Sequence, residues 1–418
     1  MIAPVKSYID FLRQRWAMLL FGFACVFWGN FGQSFFVGWF SGDIQSSLGL
    51  SAGAYGSAYS AATLTSAFLV AWAGGLIDRV SLHKYVVVVA LGLAVASLLL
   101  WQVKALWMLL GGLFLLRLCG QALLPHTGST SMARYFDADR GKAISIAMSG
   151  VPVGEVVLPL LAVLLISLIG WQSTFLVIAL SIVFLFIPFA LFLLHRARPQ
   201  LERYESEQNN DGAGEHSKGV TASNGRRALI RDYRFWLALP ALMVSPFVVT
   251  GIFIHQNFVV ESKDWTLSWF ATCFTVYGLM HWLSSILSGV LVDRFGAIRL
   301  LPYVLLPMFL ALLLIAWVPG MWVALAVMVL LGLSVGGSPP VTGSLWAEVY
   351  GTKAIGSIRS FVVAIMVLAS SISPIMFGYF IDQGMGIAAL FGGCAVYTIV
   401  GIVLICFSYP SSRKAIDA

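Results

Sequence analysis

Two ionisable side chains lie deep inside long apolar runs, and their types define the first chemical question. Arg117 sits about midway along the run 106–133, and Glu155 about midway along the next, 142–168. A charge in hydrocarbon costs several kcal/mol or more, so each needs a partner or a task. Arginine stays protonated under ordinary conditions, whereas a glutamate can take up a proton when a cationic partner leaves. Consecutive runs are expected to be antiparallel, which puts both side chains at similar depth. The sequence therefore predicts an Arg117–Glu155 pair, direct or through a water. Two roles are open to it. An anionic ligand could compete for Arg117 and release Glu155 to a proton, or the pair could only fix packing.

Other polar residues in apolar runs extend this set. His281, near the middle of the run 267–288, and His126, beside Pro125, could each hydrogen-bond a ligand, or attract an anion when protonated. His255, next to Gln256, fits a gate or an interfacial position. Asn30 and Gln33 in the first run, with Ser60 in the second, could contact a ligand or bond across helices. Pro125 and Pro340 read as paired helix bends, with Thr127, Ser129, Thr342 and Ser344 placed to answer the carbonyls that proline frees.

These residues need a scaffold, and composition defines it. The chain of 418 residues is 59% hydrophobic and 10% charged, which excludes an ordinary soluble domain. A membrane-spanning helix takes about 20 apolar residues. Twelve candidates are present: about 16–40, 51–73, 85–103, 106–133, 142–168, 174–194, 234–258, 267–288, 300–318, 321–346, 356–381 and 386–408. Six precede and six follow a polar stretch at 196–233, which reads as a solvated linker. The expected organisation is an amino-terminal bundle (1–195), a cytoplasmic linker (196–233) and a carboxyl-terminal bundle (234–418).

Net charge is +7, but the basic residues are scattered over short loops, which argues against a nucleic-acid partner. With the amino terminus inside, all 25 lysines and arginines except Lys104, Lys263 and Arg117 fall on the inner side or in the tails. This positive-inside bias places both termini in the cytoplasm. The run after Lys6, Arg13 and Arg15 is too long for a cleaved signal and reads as the first span. The five cysteines sit in apolar runs without metal spacing, so neither a metal nor a cofactor is expected. Four tryptophans, Trp101, Trp107, Trp171 and Trp265, fit interfacial anchoring.

The two halves are copies. Thr127-Gly128-Ser129 recurs as Thr342-Gly343-Ser344, a shift of 215 residues. The same shift carries Gly74, Leu76, Asp78 and Arg79 onto Gly289, Leu291, Asp293 and Arg294, and Pro159 onto Pro374. Duplicated halves in an apolar chain usually belong to a transporter with its site between them.

Residues 74–84 and 289–299 both follow Gly-x-Leu-x-Asp-Arg-x-(Gly or Ser)-x-x-(Lys or Arg) and join spans at equivalent positions. On this loop the chain resembles the major facilitator superfamily over its whole length. The resemblance implies an all-α membrane protein of twelve transmembrane helices in two pseudo-symmetric six-helix bundles. It also implies a cavity that opens alternately to either side. It assigns Gly74, Asp78, Arg79, Gly289, Asp293 and Arg294 to conformational-switch loops, with Asp78 latched near Gly356 and Ser357. Ser81 replaces the usual glycine, so the first turn is expected to take another form.

The segment Arg134–Ala143, with Ser149-Gly150 beyond it, resembles the monocarboxylate and oxalate–formate branch. With Arg117 it points to a small organic anion carried with protons, by a bacterial inner-membrane protein expected to act as a monomer. Two alternatives stand beside this: export of an amphipathic or drug-like compound, and a non-transporting membrane sensor on the same fold. No Gly-x-x-x-x-Gly-Lys loop and no nucleophile–base cluster stands out, so an enzyme is not expected.

Overall fold

The structure is a computed structural model that describes residues 2–136, 139–202, 229–351 and 355–409. Most of the expected linker 196–233, residues Asp137 and Ala138 of the Arg134–Ala143 loop, and the tail beyond Tyr409 lie outside the described residues. Among the described residues every regular element is helical. Helices follow from the solvent. A membrane offers no water to backbone N–H and C=O groups, and a helix satisfies them within its own segment.

The helices run in the order read from the sequence. The first, α1, is a bent pair, Phe11–Gly32 and Ser34–Leu48, meeting at 45°. Then follow α2 (Ala52–Asp78), α3 (Leu82–Trp101), α4 (Leu106–Tyr135), α5 (Arg140–Ile169) and α6 (Trp171–Arg196). The second half holds α7 (Tyr233–Ile254), α8 (Leu267–Phe295), α9 (Leu306–Trp317), α10 (Trp322–Tyr350), α11 (Ile355–Asp382) and α12 (Ile387–Ser408). Ten of these pass as full spans, or eleven when the bent pair is one span.

The exception, α9, has 12 residues, where the sequence predicts a span over 300–318. Turns occupy 301–305 instead. Pro302 has no N–H to give, so its bond in the ladder is missing; Leu301 still bonds Ala297 O, but Tyr303 bonds Leu300 O, three residues back, and the chain continues as turns.

The bend in α1 falls at Asn30-Phe31-Gly32, a single tight turn, followed by Gln33 in extended backbone (φ −75°, ψ 150°). Phe36 and Val37 then donate to the Gln33 carbonyl and start the next helix. The turn packs on α4, where Leu116–Leu123 widens into a π-helical stretch. Gly32 and Gly120 make this possible. A Cβ on Gly32 would lie 2.2 Å from the Leu116 carbonyl oxygen, and one on Gly120 would lie 2.8 Å from Gly32 N.

Pro125 stands at the start of the helix Leu124–Tyr135 that follows the wide stretch. Thr127 and Ser129 donate to the carbonyls of Leu123 (2.7 Å) and Pro125 (2.9 Å). Pro340 lies inside the continuous helix α10, where Thr342 donates to Ser338 O at 2.8 Å.

The carboxyl-terminal helices are pinned at the end that holds the start of α7. Asp232 caps α7 by accepting from Arg234 N (2.9 Å), and its other oxygen accepts from the Tyr350 hydroxyl at the end of α10 (2.7 Å). The Tyr350 hydroxyl also meets that of Tyr409 beyond α12, at 3.2 Å. Burial, with the Tyr350 hydrogen bond opposing it, pushes the Tyr409 phenol up to about 12. Losing a cap of this type costs about 1–2 kcal/mol. Asp232→Ala is therefore expected to lower the unfolding midpoint of purified protein, whereas Asp232→Asn, which still caps, keeps most of it. Equal midpoints for all three would refute the assignment.

Candidate functional site

Arg117 projects from the π-helical stretch of α4 and is 1% exposed. Its Nε donates to Thr63 Oγ1 of α2 (3.0 Å) and its Nη1 to the Gly32 carbonyl at the α1 break (3.1 Å). π-Helical turns gather at functional sites because they turn a side chain out of the regular helical register. Here the turn delivers a cation to a carbonyl that the break has freed. Thr63 is not among the expected site residues. It lies one turn beyond Tyr55 and Tyr59 on the same α2 face, and that i, i+4, i+8 stripe was its sequence signal.

The turn that Arg117 supports also holds α5. Asn30 Nδ2 donates to Gly150 O at 2.8 Å, and a Cβ on Gly154 would overlap the Asn30 amide at 2.0 Å. Gln33 contributes through its carbonyl, and its side chain is half-buried.

One residue past Gly154, Glu155 meets a partner other than the expected Arg117. Its Oε2 is 2.6 Å from His281 Nδ1 of α8. The side chains are 5% and 16% exposed. The depth argument placed Glu155 and Arg117 level but could not say which face of α5 turns toward which neighbour. That face is fixed by packing: a Cβ on Gly278 would lie 2.9 Å from Val156 N and 3.0 Å from Glu155 Cβ. Thr275 adds a donor to Val156 O at 3.1 Å. The small residue at 278 admits α5, and His281, one turn along, meets the carboxylate. The Tyr277 ring stands 6.0 Å from that of His281.

By contact, Gly38–Ser60 and Glu155–Val163 group with the carboxyl-terminal half of the chain. Three helix pairs account for this. The outer part of α1 meets α7, where a Cβ on Gly38 would lie 1.9 Å from Phe253 O. The start of α2 meets α11, with Gly56 against Pro374 O (2.2 Å) and Gly378 against Ala52 O (2.4 Å). There Asp382 accepts from Ser51 Oγ (2.6 Å) and Gly53 N (2.9 Å), and His255 Nε2 of the α7 end meets Pro374 O at 2.8 Å. The third pair is α5 with α8 through Glu155 and His281. His255 is 3% exposed, which does not fit the interfacial reading. Trp265 is likewise buried and donates to Gly320 O, so it is not a free interfacial anchor.

The two loop motifs fold differently. In the first copy Gly74–Asp78 forms a tight helical stretch. Gly74 O lies 3.3 Å from His126 Nε2, which ties His126 to the loop. Asp78 pairs with Arg134 at the end of α4, and Arg134 also donates to Ile77 O. Arg79 is exposed. In the second copy Gly289, Asp293 and Arg294 belong to the last turns of α8, so Gly289 makes no tight turn. The turn falls at Gly296, φ +83°. Ser81, its counterpart, has φ −57°, which explains why a non-glycine suffices there. Arg294 lies 5.2 Å from the Phe295 ring centre. The anchoring carboxylate of this copy is Glu348 of α10, which accepts from Ala297 N (2.7 Å) and Ile298 N (3.3 Å). Sequence reasoning missed it because its counterpart in the first half is Ala133.

The Major Facilitator Superfamily model matches residues 19–279 and 251–417. The chain belongs to this superfamily, and with its apolar helices it is a multi-pass membrane protein of the secondary transporter class. No curated protein matches it. Among solved structures it is similar to a crystal structure of a POT family transporter in complex with 5-aminolevulinic acid. The identity is 14%, the TM-score is 0.66, and the match covers 94% of this chain and 96% of that one. At that identity the likeness is one of fold.

The close helix approaches leave no room for a side chain, which yields a test. Gly56→Val places methyl groups on Pro374 O and is expected to spread α2 from α11. A single cysteine at Ser60, in a background lacking the native cysteines, should then react several-fold faster with an impermeant maleimide. Unchanged labelling would mean that this packing does not close the end.

Proposed function

We propose that the chain carries a small organic anion, monocarboxylate-like, together with a proton by alternating access between its two six-helix halves. The reading places it in a bacterial inner membrane as a monomer with both termini cytoplasmic and residues 196–233 linking the halves. The observation that carries it is the buried Glu155–His281 contact joining α5 to α8.

With Glu155 ionised and His281 protonated, the pair is attractive in a low-dielectric setting and holds the two helices together. A proton on Glu155 removes the attraction and leaves a cation on His281. Helices held by glycine-lined faces then separate at modest cost, and the end carrying α1–α2 and α7–α8 connections opens. This is a two-state element biased by protonation.

The substrate class follows from charge. Arg117 and Glu155 are the buried arginine and the buried carboxylate among the described residues, and a protonated His281 adds a second cation beside Glu155. An anion neutralises the excess, and the Arg134–Ala143 loop supports the carboxylate branch. In this reading Arg117 is a positioning residue: its bonds to Thr63 and Gly32 hold the α1 break that sets Asn30 against α5. It also supplies the fixed positive potential near the path.

Proteoliposomes loaded with a pH gradient test the coupling, with lactate, formate and oxalate as probes. Glu155→Gln is expected to cut gradient-driven accumulation at least tenfold while exchange of preloaded substrate continues. His281→Gln should act in the same direction. If Glu155→Gln concentrates a substrate as the wild type does, proton coupling through this pair is wrong.

A further inference from the structure

The amino-terminal half carries a pair of arginines at the end where α1 begins and α6 finishes. Arg15 of α1 and Arg196 in the last turn of α6 line one pocket of about 270 Å³. Its floor is closed, since Met18 and Ala197 are buried. One wall is held in place by Gln200, whose Nε2 donates to Tyr135 O at 2.8 Å and ties the stretch past α6 to the end of α4. The pair has no copy: the shift of 215 carries Arg15 onto Ile230 and Arg196 onto Ser411.

Two like charges on one pocket call for a counter-charge, and among the described residues no carboxylate lines it. Glu202, just past α6, is engaged by Arg198 at 3.0 Å. No hydrogen bond or ion pair holds Arg15 or Arg196 to another described residue. Arg196 lies over the Phe192 ring, its Cζ 5.5 Å from the ring centre, which uses the face of the guanidinium and leaves its N–H edge open. Planar N–H forks of this kind match the oxygens of a phosphate. With no carboxylate to receive an ammonium group, a net-negative headgroup is preferred over a zwitterionic one.

Size and surroundings define the rest of the ligand. The pocket is smaller than the roughly 300–1,000 Å³ of sites that enclose a whole ligand, so it takes a headgroup and leaves the remainder outside. Beside the two guanidiniums stand exposed rings, Trp16 (45%) and Phe192 (47%). Aromatic side chains at such a place belong to the boundary between headgroups and hydrocarbon. A small soluble anion would use the arginines alone, whereas a phospholipid covers the rings as well.

We propose that this pocket seats the phosphodiester of an anionic phospholipid, with Arg15 and Arg196 on its phosphate oxygens and its acyl chains over Trp16 and Phe192. The bound lipid then ties the first and last helices of the amino-terminal half together at this end. Neither the cargo nor the proton coupling proposed above enters this inference.

Full-length protein in detergent, titrated with dioleoyl phosphatidylglycerol or dioleoyl phosphatidylcholine and followed by native mass spectrometry, provides the test. The one-lipid state is expected to form at least tenfold more readily with phosphatidylglycerol. The double variant Arg15→Gln, Arg196→Gln should bring that preference below threefold. Arg13→Gln, exposed on the same helix outside the pocket, should leave it unchanged. The double variant Arg15→Lys, Arg196→Lys, which keeps the charge and loses the fork, should retain only part of it. Inorganic phosphate in millimolar excess should not displace the lipid. Equal binding of the two lipids by the wild type would overturn the proposal, as would a preference that survives in the glutamine pair or falls as far in Arg13→Gln. Full preference in the lysine pair would reduce the site to surface charge, and displacement by phosphate would make it a site for a free anion; either result defeats the lipid assignment. None of these results bears on the Glu155→Gln transport test.

Discussion

A guanidinium can be buried in this chain because a broken helix offers it a carbonyl. The turn at Asn30-Phe31-Gly32 ends the first part of α1, and Phe36 N bonds Gln33 O, one residue past Gly32. Gly32 O then faces Arg117 at 3.1 Å. Each group would be expensive without the other: a charge in the interior on one side, an unmet backbone acceptor on the other. The same turn presents Asn30 to α5, and α5 presents Glu155 to α8. A chain of named contacts thus runs from a cation on α4 to a titratable pair. The last covalent step is the Gly154–Glu155 peptide bond.

The halves show how a duplicated sequence diverges under function. The first loop motif is held by charge, Asp78 to Arg134. The second is held by a carboxylate on free backbone N–H groups, Glu348 to Ala297 and Ile298. Both anchor the loop to the fourth helix of its half, by different chemistry. The glycine seam follows the same pattern. The seam of α1 on α4 is glycine against backbone, whereas α10 has Val335 at the place matching Gly120. Pseudo-symmetry is therefore a guide to where function broke it.

Much of the architecture could be read from residues. Apolar runs of membrane length, the 215-residue repeat and the doubled Gly-x-Leu-x-Asp-Arg loop carried the helix order, the two halves and the superfamily. Ser81 in place of glycine correctly marked a turn of another form. The candidate site was legible as a set of residues but not as pairs. Depth along a helix follows from residue count, so Arg117 and Glu155 were placed in the interior from sequence. The face a side chain presents depends on crossing angles and on the π-helical turn in α4, which no local spacing announces. The span over 300–318 was read too long across Pro302, where turns stand in place of helix.

What the sequence determined by itself is the solvent and the economy of charge. A chain this apolar must form helices that satisfy their own backbone, and it can keep few ionisable groups inside them. What tertiary structure decided is who meets whom. Gly278 lets α5 approach α8 closely enough for Glu155 to reach His281, and Gly32 lets α1 approach α4 closely enough for Arg117 to reach a carbonyl. The physical reason is one of range. Burial preferences act on each residue alone and are written locally. A hydrogen bond of 2.6 Å depends on the positions of two backbones more than a hundred residues apart, and packing alone sets those.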